Sequence, residues 1–225
     1  MPFEAIRFFW RDRLQMSTPT TAQRIGRFAY DARAEHLTPG TRAIFKRNIL
    51  DSLGCAIAAL PGKPFKALRD QFDEYRGSGT CSLIGGGKTS PDQAALYNTG
   101  LVRYVDLLDS YMSPGGLCHP SDNFGTILAA AEHASASGEE FMLALATSYE
   151  IGCRITAIVP VMAKGFNHAI QLAMSAAAGS GSCSVSMPIR SQTRLQSRRS
   201  TTFRCRVCIP NRFRSGRAFL PVSRV

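Results

Sequence analysis

The chain has 225 residues, 44% of hydrophobic type, and a formal charge of +11; that length can hold one large domain or two small ones with a real core. No uninterrupted apolar run approaches the roughly 18 residues that span a bilayer, and an odd count of seven cysteines with no secretory signal argues against a disulfide framework and for reduced, intracellular thiols. The charge is local: ten arginines lie between Arg190 and Arg224, in a segment without lysine, aspartate or glutamate, so the body before it is nearly neutral.

In chain order, the start "MPFEAIRFFWRDRLQM" is too short and interrupted for a secretory h-region, and Glu4 and Asp12 argue against a mitochondrial presequence. Met16 reads as the natural start, residues 1–15 as an extension, and the protein as cytoplasmic. "TAQRIGRFAYDAR" predicts a helix with Ile25, Phe28 and Ala29 on one stripe. Thr38 and Pro39 then supply an N-cap and a first helical residue. The helix they open carries Ile44, Phe45, Ile49, Leu53, Ile57 and Leu60 at helical spacing. "KPFKALRDQFDEYR" is a shorter amphipathic helix, and "TCSLIGGG" is the single stretch with strand character.

Ser90 with Gln93, and Ser137 with Glu140, have the capping-box form. The first opens a helix through Leu101 and Val105. The second opens "EEFMLALATSYEIGCRITAIV", which Pro160 closes. Between them Ser121 can cap "DNFGTILAAAEHA", and "HAIQLAMSAAA" follows His168. Short connections and alanine-rich faces suit helices packed closely on one another. The fold class is all-α, a helical bundle over 16–180 followed by an irregular, Arg-rich tail over 181–225.

The tail has three readings: an arm binding nucleic acid through its arginines, a zinc module built on Cys205 and Cys208, or sequence read out of frame. Zinc is disfavoured because the tail adds one further thiol, Cys183, and no histidine. An arm would ordinarily mix lysine with arginine, whereas arginine beside serine, proline and cysteine fits GC-rich codons in a slipped frame. The slipped frame is the favoured reading, and nucleic acid is not an expected partner.

The run "VDLLDSYMSPGGLCHPSDNFG", Val105 to Gly125, interrupts these helices, and loops between rigid elements are where chemistry tends to sit. If the preceding helix continues, Asp106 and Asp109 share a face at its end. Pro114, Gly115 and Gly116 then turn the chain, and Pro120 pushes His119 out of helical conformation. An imidazole beside carboxylates can be tuned as a general acid or base. Equally, Asp109 could cap a turn and His119 be a solvated loop residue. Arg103 could clamp a substrate carboxylate, pair with Asp106 or be solvated.

"NTGLVRYVDLLDSY…HPSDNFGTILAAAEHASASGEEFMLALATSYEIGCRI" resembles the MmgE/PrpD family of 2-methylcitrate dehydratases and cis-aconitate decarboxylases, and "ILDSLGCAIAAL" resembles that family's early helix. The likeness runs from about Ala22 to Ala178 and is nearer the dehydratase branch. It implies a cytoplasmic lyase that removes water from a hydroxy-tricarboxylate, without metal or cofactor, in a chain about twice this length that pairs as a homodimer. It also implies catalytic roles for Asp106, Asp109, His119 and, by a looser match, His168. Arg103 and Ser121 are the substrate-binding candidates. Leu108 departs from the acidic or polar residue that the family's loop more often carries, and His36 and His133 match nothing catalytic. Further active-site residues would lie downstream, so a family member by descent without turnover is expected. A related polycarboxylate decarboxylase or epimerase is the alternative.

Overall fold

A computed structural model describes residues 19–74 and 79–183; residues 1–18, 75–78 and 184–225 lie outside them, and with them the expectations for the N-terminal extension and for nearly all of the arginine-rich tail. The described residues form seven α-helices: α1 Thr21–Asp31, α2 Pro39–Ala59, α3 Lys63–Glu74, α4 Pro91–Tyr104, α5 Phe124–His133, α6 Gly138–Ile158 and α7 Leu172–Cys183. Two small antiparallel hairpins complete them, β1 Cys81–Ser82 with β2 Lys88–Thr89, and β3 Tyr111–Ser113 with β4 Gly116–Cys118. The architecture is all-α, as the helical periodicity implies.

Local chemistry sets most helix starts. Thr38 accepts from the Thr41 N–H and Pro39 stands at the first position of α2. Ser137 and Glu140 close a reciprocal capping box on α6, and Thr20 with Gln23 forms another on α1. The Ser90 box does not form: Ser90 occupies the cap position without a side-chain bond to the helix's first-turn N–H groups, and the Gln93 side chain accepts from the Thr89 hydroxyl instead. Ser121 does not cap α5 either. Residues Pro120–Asn123 make a 3-10 turn, the α-helix begins at Phe124, and Ser121 is buried within that turn.

The main core gathers Phe45, Phe65, Tyr97, Leu101, Phe124, Ile127, Leu145 and Tyr149. A smaller one joins Ile25 and Ala29 of α1 to Ile151 and Ile155 of α6. Two apolar stripes are rotated from the expected ones. Phe28 is 37% exposed and Ile57 59% exposed, while α2 buries Asn48 and Ser52 between Phe45 and Cys55. Small residues let the central helices approach closely: a Cβ on Gly125 of α5 would stand 2.2 Å from the Thr99 nitrogen of α4.

By length and composition α6 could cross a membrane, but 72% of its most apolar window is buried inside the protein, as a central helix would be. The last helix continues past the expected break near Gly179 to Cys183, whose side chain joins the main core at 1% exposure. Burial pushes its thiol up to about 11. All five described cysteines are buried and free, as Cys55 and Cys153 were expected to be.

Candidate active site

Helix α4 stops at Tyr104, and Asp106 takes a left-handed backbone, φ 54°. That conformation is uncommon outside glycine and is tolerated best by aspartate and asparagine. It ends the helix before Asp109, so Asp106 and Asp109 do not share a helical face. The Asp106 side chain is 76% exposed and lies 3.6 Å from Arg103 Nη2. Leu108, the apolar residue in a polar family position, turns inward and is buried.

The following residues fold as the β3–β4 hairpin, a strand pair that its sequence did not announce. Pro114 and Gly115 supply the turn, with Gly116 at φ 145°. A Cβ at Gly115 would stand 2.4 Å from the Thr156 carbonyl, so the hairpin tip rests on the last turns of α6. This seat fixes where β4 delivers His119.

His119 is held from the loop it faces. Its Nδ1 lies 2.8 Å from the Asp109 main-chain oxygen and 3.2 Å from the Ser110 hydroxyl. A carbonyl can only accept, so Nδ1 carries the proton and Nε2 is the basic nitrogen of the neutral ring. The Asp109 side chain makes a separate contact, in which its Oδ1 accepts from the Ser121 N–H at 3.0 Å. Asp109 Oδ2 and the Tyr149 hydroxyl are both buried without a formed hydrogen bond. They are near enough that, after burial itself, the Asp109 charge does most to raise the Tyr149 pKa.

His168 arrives from a distant part of the chain, yet its ring centroid is 5.2 Å from that of His119, edge to face at 69°. Two anchors hold its short 3-10 turn. Thr156 donates to Gln171 Oε1 at 2.6 Å, and Gln171 Nε2 donates to the Val159 carbonyl at 3.1 Å. Burial, then the charges of His119 and Arg103, hold the His168 pKa below the ordinary imidazole range. His36 and His133 lie apart, exposed at the end of a 3-10 turn and at the end of α5.

The residue that sequence reasoning missed is Asp122. Its side chain is 6% exposed and its Oδ2 lies 3.5 Å from Arg103 Nη1. Burial raises its pKa, against the charges of Arg103 and His119, which favour the ionised form. Arg103 therefore stands between two carboxylates, Asp106 in solvent and Asp122 in the interior. Both contacts are longer than the roughly 2.7–2.9 Å of a charge-assisted hydrogen bond. Asp122 Oδ1, Arg103 Nη1 and the Ser121 hydroxyl are buried with no hydrogen-bond partner. The signal for Asp122 was a charged residue three positions after His119 and just ahead of an apolar helix, which reads as an ordinary first turn.

Arg103, Asp109, His119, Asp122 and His168 thus converge, and Asp106 meets them through Arg103 from the solvent side. The set offers two imidazoles for proton transfer, a guanidinium for an anionic group, and unpaired buried donors and acceptors. Among the described residues, no three of His, Cys, Asp and Glu are grouped as a metal site requires.

Likeness to known proteins gives this arrangement a family. The Cis-aconitate decarboxylase-like protein oryM of Aspergillus oryzae is 30% identical over 118 residues, which cover 49% of this chain and 24% of that protein. The chain thus spans about a quarter of the length of that relative. The model of the MmgE/PrpD N-terminal domain matches residues 23–184, well over half of the chain. The chain belongs to the MmgE/PrpD family, through its N-terminal domain.

Proposed function

We propose that this chain binds a hydroxy-tricarboxylate, 2-methylcitrate in the first instance, and supplies acid–base groups for removing water from it. The observation that carries the reading is the 5.2 Å pairing of His119 with His168 beside a guanidinium that has two loose carboxylate partners. Dehydration needs a base for the proton on a carbon next to a carboxylate and an acid for the departing oxygen, since hydroxide leaves poorly. Each positioned catalyst of this kind contributes about 10²–10⁴-fold.

His119 is suited to one of these roles because its Nδ1 contact fixes the ring and leaves Nε2 basic. His168, whose pKa is lowered by burial and then by the neighbouring charges of His119 and Arg103, is suited to assist. Arg103 would exchange its two long aspartate contacts for a substrate carboxylate. Asp106, exposed on the rim, would act through Arg103 and not as the principal acid. Asp109 would orient the loop through Ser121 and His119, with Ser121 at the substrate. The exposed Leu50 and Ile57 on α2 support a homodimer, and the composition supports a cytoplasmic location.

A decarboxylase acting on an unsaturated tricarboxylate is the second reading, favoured by the oryM relative. Because the chain spans a quarter of that protein, binding is the measurement that tests the reading of this site. Calorimetry should detect 2-methylcitrate, and Arg103→Met should weaken it by about tenfold or more, the worth of one charged hydrogen-bonded contact. Absence of binding to any tricarboxylate would contradict the reading.

A further inference from the structure

Asp122 and Glu150 are the buried acidic side chains among the described residues. Glu150 is matched by Arg154 one turn along α6. Asp122 is not matched in the same way. Its nearest cation is 3.5 Å away, and its Oδ1 is buried without any partner.

An unpaired buried carboxylate oxygen is costly to leave unmade and calls for a hydrogen-bond donor. A buried donor that likewise lacks a hydrogen bond, Arg103 Nη1, stands beside it, 3.5 Å from Asp122 Oδ2. One ligand can satisfy both if it presents a carboxylate to Arg103 and an O–H to Asp122. Carboxylates alone cannot, since at neutral pH they bring no proton and would meet Asp122 as a like charge.

Resting on the reading that this site takes a polycarboxylate, we infer that Asp122 recognises the substrate's hydroxyl group, so that the site selects hydroxy polycarboxylates over the same acids without the hydroxyl. Asp122 sits on the turn that follows His119, and its main-chain N–H donates to the His119 carbonyl at 3.1 Å. A hydroxyl held there lies beside the imidazole that handles protons. The geometry also separates the two candidate reactions, because a decarboxylase acting on an unsaturated acid has no hydroxyl to place against Asp122.

Citrate and tricarballylate carry the same three carboxylates and differ by one hydroxyl, so they isolate this contact. Calorimetric titration of the full chain should give citrate about tenfold tighter binding or more, the usual discrimination when a buried polar group is left unpaired. Asp122→Ala should bring the two affinities to within about twofold of each other. Asp122→Asn, which keeps shape and one neutral acceptor, should retain part of the preference, and it serves if the alanine variant does not fold. A structural role as counter-ion to Arg103 would weaken both ligands alike and leave their ratio unchanged. An unchanged ratio in both variants, or no preference in the wild type, would overturn the inference while the polycarboxylate reading stands. Failure of both ligands to bind the wild type would remove the reading and the inference together.

Discussion

Ser175 donates its hydroxyl hydrogen to the Asn123 amide oxygen at 2.8 Å, joining α7 to the turn after His119. Asn123 in turn donates to the Pro120 carbonyl at 2.9 Å. Both side chains are at most 1% exposed. This chain of bonds sets α7, which follows directly on the turn carrying His168, against the turn that follows directly on His119. Ser175→Ala leaves a buried amide oxygen unpaired and should cost about 1–2 kcal/mol in denaturant unfolding. Ser175→Ala combined with Asn123→Ala should cost less than the two separate losses added, because the second change removes nothing the first has left. Additive losses would show that the bond is not the shared element.

Gly125 shows why α4 and α5 can deliver their loops to one place. An alanine in mid-helix ordinarily gains about 1 kcal/mol over glycine. Here its Cβ would meet the Thr99 nitrogen at 2.2 Å and the Asn98 carbonyl carbon at 2.7 Å. Backbone atoms of a packed helix cannot yield by that much, so overpacking wins. Gly125→Ala should destabilise by about 3 kcal/mol or more, read as a large fall in Tm. An unchanged Tm would mean that the helices are not in such close approach.

The folded-state pKa of His168 lies below its unfolded value, chiefly through burial and then through His119 and Arg103. Such a group favours the folded state at higher pH, and that contribution is lost as pH falls through the unfolded imidazole value of about 6.5. Wild-type Tm should therefore fall more steeply between about pH 7 and about pH 5 than that of His168→Gln. Parallel curves for the two proteins would contradict the burial of the imidazole.

Much of the fold was legible in the sequence because helix periodicity and caps are local. The Thr38 start and the Ser137 box formed as their residue types dictate. His119 could be singled out by its setting before a proline, His168 only through the family resemblance. Asp106 could not be placed, since the helix stops short and its left-handed φ of 54° is a backbone choice that spacing does not encode. Asp122 was hidden by a 3-10 turn that shifts the helix start to Phe124 and makes an apparent helix-opening residue a buried one. Ser90 failed as a box because Gln93 has a competing partner in Thr89. The rotation of α2 has the same kind of cause: Asn48 and Ser52 are buried by tertiary packing, which polarity alone argues against.

In the reading proposed above, His119 and His168, brought together with Arg103 and Asp122, form one polycarboxylate site. The four histidines of the chain allow it to be tested in a single NMR titration of the imidazole signals with citrate. The signals of His119 and His168 should move together along one saturable curve, while those of His36 and His133 stay in place. Movement of neither site histidine, or equal drift of all four, would contradict the claim.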